Sequence, residues 1–155
     1  MRYFVKWACG AVLIGGCVGA GTSWAQDVAS VVENRQNVMK AQGKDMAAIK
    51  AYVDDKGDLP AAQTAGADLV QQVGKIPTLF PKDTGMTQLP GKSYAKPVIW
   101  TESDKFAAAQ KAAAEKAEAL NTALKSGDKA KITAAHADMG KSCGGCHEPY
   151  REKKT

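Results

Sequence analysis

An all-α, antiparallel up-down-up-down four-helix bundle, with a long loop between helices two and three, is the fold this sequence predicts. Three observations carry it. Apolar residues recur at steps of three and four in four separate stretches. The breaks within the first pair and within the last pair of stretches are short and polar, which makes each pair antiparallel neighbours. The middle break, Pro77 to Thr101, is long and holds Pro77, Pro81, Pro90 and Pro97 with no helical period.

From Asp27 to about Val53 the apolar positions are Val28, Val31, Val32, Val38, Met39, Met46, Ile49 and Val53, an amphipathic helix. Asp54-Asp55-Lys56-Gly57-Asp58 breaks it with a glycine stop. Pro60 suits the first turn of a second helix, continued by Ala65, Leu69, Val70, Val73 and Ile76. The long loop carries Phe80, Tyr94 and Trp100, so it is expected to pack on an apolar surface. Thr101-Glu102-Ser103-Asp104 opens a third helix, with either hydroxyl as its cap and the acids in its first turn. Its stripe is Phe106, Gln110, Ala113, Ala117, Leu120 and Leu124. Ser126-Gly127-Asp128 is a tight break. A fourth helix then runs from about Lys129 to Glu152, with Ile132, Ala135, Met139, Cys143 and Cys146 near one face. Pro149 removes a hydrogen bond in its last turn.

Cys143-Gly144-Gly145-Cys146-His147 reads Cys-x-x-Cys-His, the attachment signature of a c-type haem. Residues three apart on a helix have Cβ atoms roughly 5–6 Å apart on one face. Two thiols so placed each add to one vinyl group of a porphyrin. His147, about one turn beyond Cys143, comes to the same face as proximal axial ligand. The two glycines lack side chains, which predicts close approach of the macrocycle to the backbone. A zinc site fits less well, because it draws four ligands from two separated pairs. A redox Cys-x-x-Cys belongs in a βαβ context, and no strand pattern precedes this one.

The first six residues are basic, with Arg2 and Lys6, and Trp7 to Ala20 is an apolar run too short to span a bilayer. Ser23-Trp24-Ala25 offers small residues where a signal peptidase reads, so residues 1–25 are expected to be a signal peptide and 26–155 the monohaem domain, exported to the periplasm. Ile14-Gly15-Gly16-Cys17 loosely resembles a lipoprotein site, whose alternative product is lipid-anchored at Cys17. Removing 1–25 lowers the formal charge from +5 to +3, Arg2 and Lys6 being its only charged residues. It also takes away Cys9 and Cys17, so no structural disulfide is expected. The mild basicity does not argue for nucleic acid, and no paired carboxylates, nucleophile–base pair or phosphate loop argues for an enzyme.

On Arg35-Gln36-x-x-Met39, Leu79-Phe80-Pro81, Pro97-x-Ile99-Trp100 and Cys143-x-x-Cys146-His147-x-x-Tyr150-Arg151, the sequence resembles the class II c-type cytochromes, the cytochrome c prime family. The resemblance implies a four-helix bundle with one covalent haem c per chain near the C-terminus, periplasmic or membrane-bound redox partners, and a homodimer through helices one and two. It implies that Met39 faces the open side of the iron and that Arg35 and Arg151 lie near the haem. Low-spin members bind a helix-one methionine and carry electrons; high-spin members stay five-coordinate and bind small gases. Met39-x-x-x-Gly43-x-x-Met46 and Leu79-Phe80-Pro81 resemble the low-spin branch.

Helix geometry selects among the methionines as well. Met139 sits on the helix of His147, roughly 12 Å away along the axis, and Met46 lies roughly 10 Å deeper than Met39. Met86, in the loop, is not excluded this way. Met39 is the expected distal ligand; its alternative role is that of a core gap-filler. Arg35 is expected to pair with a haem propionate or else to be a solvated helix arginine. Arg151 is expected to place positive charge beside His147 and favour reduced iron, and Trp100 to cover the haem. His136, far along the same helix, reads as a packed histidine. The expected function is single-electron transfer through a His147/Met39-ligated haem, with five-coordinate binding of nitric oxide or carbon monoxide as the alternative.

Overall fold

The computed structural model describes residues 21–153, with side chains from Asp27 onward. The expected signal peptide and the alternative anchor at Cys17 lie outside the described residues, apart from 21–25, whose backbone opens the first helix. The helices are α1 (Gly21–Val53), α2 (Leu59–Gly74), the one-turn α3 (Val98–Thr101), α4 (Ser103–Ser126) and α5 (Lys129–Tyr150). The four long ones make the bundle. α1 packs along α2, α2 along α4 and α4 along α5, while α1 and α5 touch sparsely. No described helix is long and apolar enough to cross a membrane.

The helix ends follow local chemistry. Asp58 caps α2 by accepting from the Ala61 N–H at 2.8 Å, with Pro60 in the first turn where its missing N–H costs nothing. Asp128 caps α5 in the same way, accepting from the Lys131 N–H at 3.1 Å. Gly127 closes α4 in the left-handed region, φ 69°, a conformation that disfavours any side chain.

Two local expectations are corrected. Pro97, at φ −55°, starts a turn of helix inside the stretch read as irregular. That turn absorbs Thr101, and Ser103 is already the first residue of α4, so neither hydroxyl caps α4. Glu102 occupies the junction instead, and its carboxylate pairs with Lys105 at 3.0 Å.

The main core fills the middle of the bundle, where Ile49, Leu69, Leu120, Leu124 and Ile132 have no exposed surface. A second cluster of Ala95, Ile99, Phe106 and Tyr150 sits at the end where α5 stops. There Phe106 stands between Phe80 and Tyr150, with ring centroids 5.0 and 4.9 Å away and both pairs edge-on. The long loop is therefore anchored on aromatic surface, as its composition predicts. It is also tied to the end of α5 through an isolated Ala95–Arg151 bridge, Lys96 N–H to Tyr150 C=O at 3.0 Å and Glu152 N–H to Tyr94 C=O at 2.8 Å.

Candidate haem site

Where α1 and α5 part, a cavity of about 440 Å³ opens, within the roughly 300–1,000 Å³ usual for small-molecule and cofactor sites. Arg35, Gln36, Met39 and Gln42 line it from α1, and Met139, Cys143, Cys146 and His147 from α5. Phe106, Gln110 and Ala113 of α4 and Val73 at the end of α2 form its inner side, and Phe80, Tyr94, Ala95 and Ile99 cover it. A larger cavity of about 670 Å³ lies between the start of α1 and the loop. It shares Gln36 and Tyr94 with the first but carries no cysteine, histidine or methionine.

The motif residues stand as their spacing requires. Cys143 packs against the main core and Cys146 against the aromatic cluster, both half-buried. Burial pushes both thiols above their ordinary value, with the neighbouring Cys143 adding to the effect at Cys146. Burial first, and the Arg151 charge second, hold the His147 imidazole below its ordinary value, which keeps it neutral and able to ligate a metal. Gly144 and Gly145 are exposed and do not line the cavity; a Cβ on either would meet nothing. At about 100° per residue they turn away from the face of Cys143 and His147, so the expected close backbone approach does not explain them.

Among the methionines, Met39 and Met139 line the cavity, whereas Met46 and Met86 do not. Met139 is 1 % exposed and shares a helix with His147, which leaves Met39 as the cavity's one methionine on the facing helix. His136 is a packed residue, as expected, with Nε2 3.2 Å from the Met46 carbonyl oxygen. Among the described residues no cluster of three or more His, Cys, Asp or Glu could hold a metal, so the zinc alternative has no ligand set there.

Arg35 departs from one of its two expected roles. It is 5 % exposed, so it is no solvated helix arginine. Its Nη1 donates to the Leu79 carbonyl at 3.3 Å and the Thr84 hydroxyl at 3.1 Å. Its Nη2 donates to the Thr84 carbonyl and the Ser93 hydroxyl, each at 2.9 Å. These bonds tie Arg35 to the loop, and its side chain also lines the cavity. Arg151 is exposed, lines the cavity and lies close enough to His147 for its charge to act on the imidazole. Trp100 does not line the cavity; its indole N–H donates to the Phe80 carbonyl at 3.1 Å, and its ring fills the space over Gly85, where a Cβ would come within 2.8 Å.

Sequence reasoning missed Thr84, Ser93 and Gln42. Thr84 and Ser93 meet Arg35 from 49 and 58 residues away, and no local pattern marks such a contact. Gln42 was legible in principle, as a polar residue one turn past Met39 on the buried stripe. Its Nε2 is buried with no hydrogen-bond partner in a wall of the cavity, a free donor facing a space suited to a group with acceptors. Two thiols, a neutral imidazole, a facing thioether and a largely apolar lining together fit a covalently held haem.

The comparisons with known proteins agree with this geometry. The family model described as Cytochrome C' matches residues 30–151. A cytochrome c' of Pararhodospirillum photometricum is 38% identical over 125 residues, covering 78% of this chain and 95% of that protein. Cytochrome c-556 of Agrobacterium fabrum is 33% identical over 144 residues, covering 93% and 94%. The crystal structure of cytochrome c' from Rubrivivax gelatinosus superposes with a TM-score of 0.72 at 27% identity, covering 81% of this chain and 97% of that one. The chain belongs to the cytochrome c' family of class II c-type cytochromes, and one covalently attached haem c is its cofactor.

Proposed function

We propose that this cytochrome carries single electrons in the periplasm, with Cys143 and Cys146 holding the haem and His147 and Met39 as its axial ligands. The observation that carries the reading is that His147 and Met39 line one cavity from facing helices, while Met46 and Met86 stand outside it. Bound haem supplies the one-electron iron couple. The protein's part is to orient and to exclude water. His147 presents a neutral imidazole from α5. Met39 presents a thioether from α1, which would hold the iron from the facing side and favour its ferrous state. Phe80, Phe106 and Tyr150 close the site on its apolar side. Redox proteins of the periplasm or the membrane are the expected partners, and the family resemblance adds a homodimer through α1 and α2. Neither nucleic-acid binding nor an enzymatic role is part of this reading.

A second reading is favoured by the name cytochrome c' borne by the 38%-identical relative: a five-coordinate haem that binds nitric oxide or carbon monoxide. One series separates the two. With Met39 bound, the wild-type protein is low-spin in both oxidation states at neutral pH, and its ferric form shows the weak far-red sulfur-to-iron band. Met39→Ala then converts the iron to high spin and admits carbon monoxide, while Met46→Ala leaves the spectrum unchanged. A wild-type spectrum already high-spin and unmoved by Met39→Ala sinks the electron-carrier reading and leaves gas binding in its place.

A further inference from the structure

We propose that His136 is a positioning residue: its hydrogen bond to the Met46 carbonyl braces α5 against α1 and fixes the gap between the helices that carry His147 and Met39. The inference rests on the haem reading but not on whether Met39 binds the iron.

The brace matters because little else joins these two helices. α1 packs along α2 and α5 along α4, while α1 and α5 touch sparsely. The gap between them is therefore set indirectly, through two other helices, unless something spans it. Among the described residues one side-chain hydrogen bond does so within the helices, from His136 Nε2 to the Met46 carbonyl oxygen at 3.2 Å. The other tie is at the far end of the bundle, where Lys129 pairs with Asp55 and lies over the Tyr52 ring. On the cavity side of the brace, Gly43 and Gly140 stand about one turn further along their helices, and a Cβ on either would meet nothing.

A carbonyl oxygen only accepts, so His136 Nε2 carries the hydrogen of this bond. A carbonyl inside α1 already accepts from the N–H four residues on, and its second lone pair is the one His136 takes. The imidazole is half-buried, where water competes less for the donor. Met46→Ala keeps the carbonyl and hence the brace, in line with the unchanged spectrum expected of that variant. Position gives the bond its leverage. Met46 lies two turns from Met39, roughly 10 Å along α1, and His136 three turns from His147, roughly 16 Å along α5. Both helices run on from the brace to the cavity, where they part. Without it they spread there, and the first distance to change is the one from Met39 to a haem held on α5 by Cys143, Cys146 and His147.

The test uses haem-loaded wild type, His136→Ala, His136→Phe, His136→Gln and, as a control in the main core away from the brace, Leu69→Val. The absorption spectrum reads the spin state, and stopped-flow mixing of the ferrous protein with carbon monoxide reads the association rate. Carbon monoxide enters on the side of Met39 whether or not the thioether is bound, so the rate reports the gap under either coordination. His136→Ala and His136→Phe lack the donor, and the second keeps an aromatic ring in place. Both are expected to bind carbon monoxide about tenfold faster, the factor that one hydrogen bond is worth. Where wild type is low-spin, both also gain a high-spin fraction. His136→Gln, whose amide N–H reaches the same carbonyl, is expected to restore wild-type behaviour, and Leu69→Val to leave it unchanged. Wild-type rates in His136→Ala and His136→Phe overturn the proposal, as does a rise of the same size in His136→Gln or in Leu69→Val. The wild-type absorption spectrum reports on Met39 independently, so failure here is distinct from failure of the electron-carrier reading.

Discussion

Truncating Met139 to alanine tests whether the core and the cavity share a wall. Met139 is 1 % exposed, packs in the main core and lines the cavity. A buried Met→Ala change costs about 2–5 kcal/mol, more where the surroundings cannot collapse into the hole. Here α5 is pinned by two cysteines and a histidine a turn or two further on, and the haem holds the cavity open. Collapse is limited on both counts, so about 3–4 kcal/mol is expected, from which alanine's better helix propensity takes back only a few tenths. For a chain of this size each kcal/mol moves the melting temperature by roughly 3–5 °C, giving a fall of about 10 °C or more. Met46, only half-buried, should lose about 1–2 kcal/mol on the same change. Thermal unfolding of the haem-loaded proteins, followed by far-ultraviolet circular dichroism, measures both. Neither change should alter the spin state. A Met139→Ala melt within a degree or two of wild type, or a loss smaller than that of Met46→Ala, refutes the shared wall.

Cys143→Ser combined with Cys146→Ser should release the haem to acid–acetone extraction, and the haem-free bundle should keep much of its helix but melt lower and less cooperatively. The carboxyls of Asp54, Asp128 and Asp138 are held below their usual range, chiefly by hydrogen bonds to Lys50, to the Lys131 N–H and to Lys116. A depressed folded value adds stability above the ordinary carboxylate pKa and loses it as pH falls through the folded one, so an acid melting series should show a decline beginning near pH 4. Asp45 has the opposite sign: burial first and Asp68 second raise its carboxyl, and its Oδ2 is buried without a partner. Its charge penalises the native state at neutral pH, so Asp45→Asn should raise the melting temperature at pH 7, with the gain shrinking as the wild-type carboxyl protonates in acid.

Local chemistry made much of this molecule readable from its residues. Helix stripes follow from a 3.6-residue period, and Ile49, Leu69, Leu120, Leu124 and Ile132 all lie where that period puts them. Asp58, Pro60, Gly127 and Asp128 mark helix ends because caps and stops are satisfied within a few residues. The Cys143–His147 motif is likewise local, three ligating groups within one turn and a half of helix. The short α3 and the uncapped start of α4 escaped, because a proline-initiated turn in an aperiodic stretch leaves no stripe and takes the nearest hydroxyl for itself.

The sequence by itself determined four long helices, their antiparallel order and the end of the bundle at which Cys143, Cys146 and His147 stand, because period, caps and motif spacing are properties of neighbouring residues. Only the tertiary structure decided that Met86 stands outside the cavity that Met39 lines, and that Trp100 acts through Phe80. It alone decided that Arg35 donates to Leu79, Thr84 and Ser93. Each of these depends on how a loop of irregular backbone crosses two helices, and contacts between residues 20 to 58 positions apart are chosen by packing and by the pairing of buried polar groups, which no local pattern encodes.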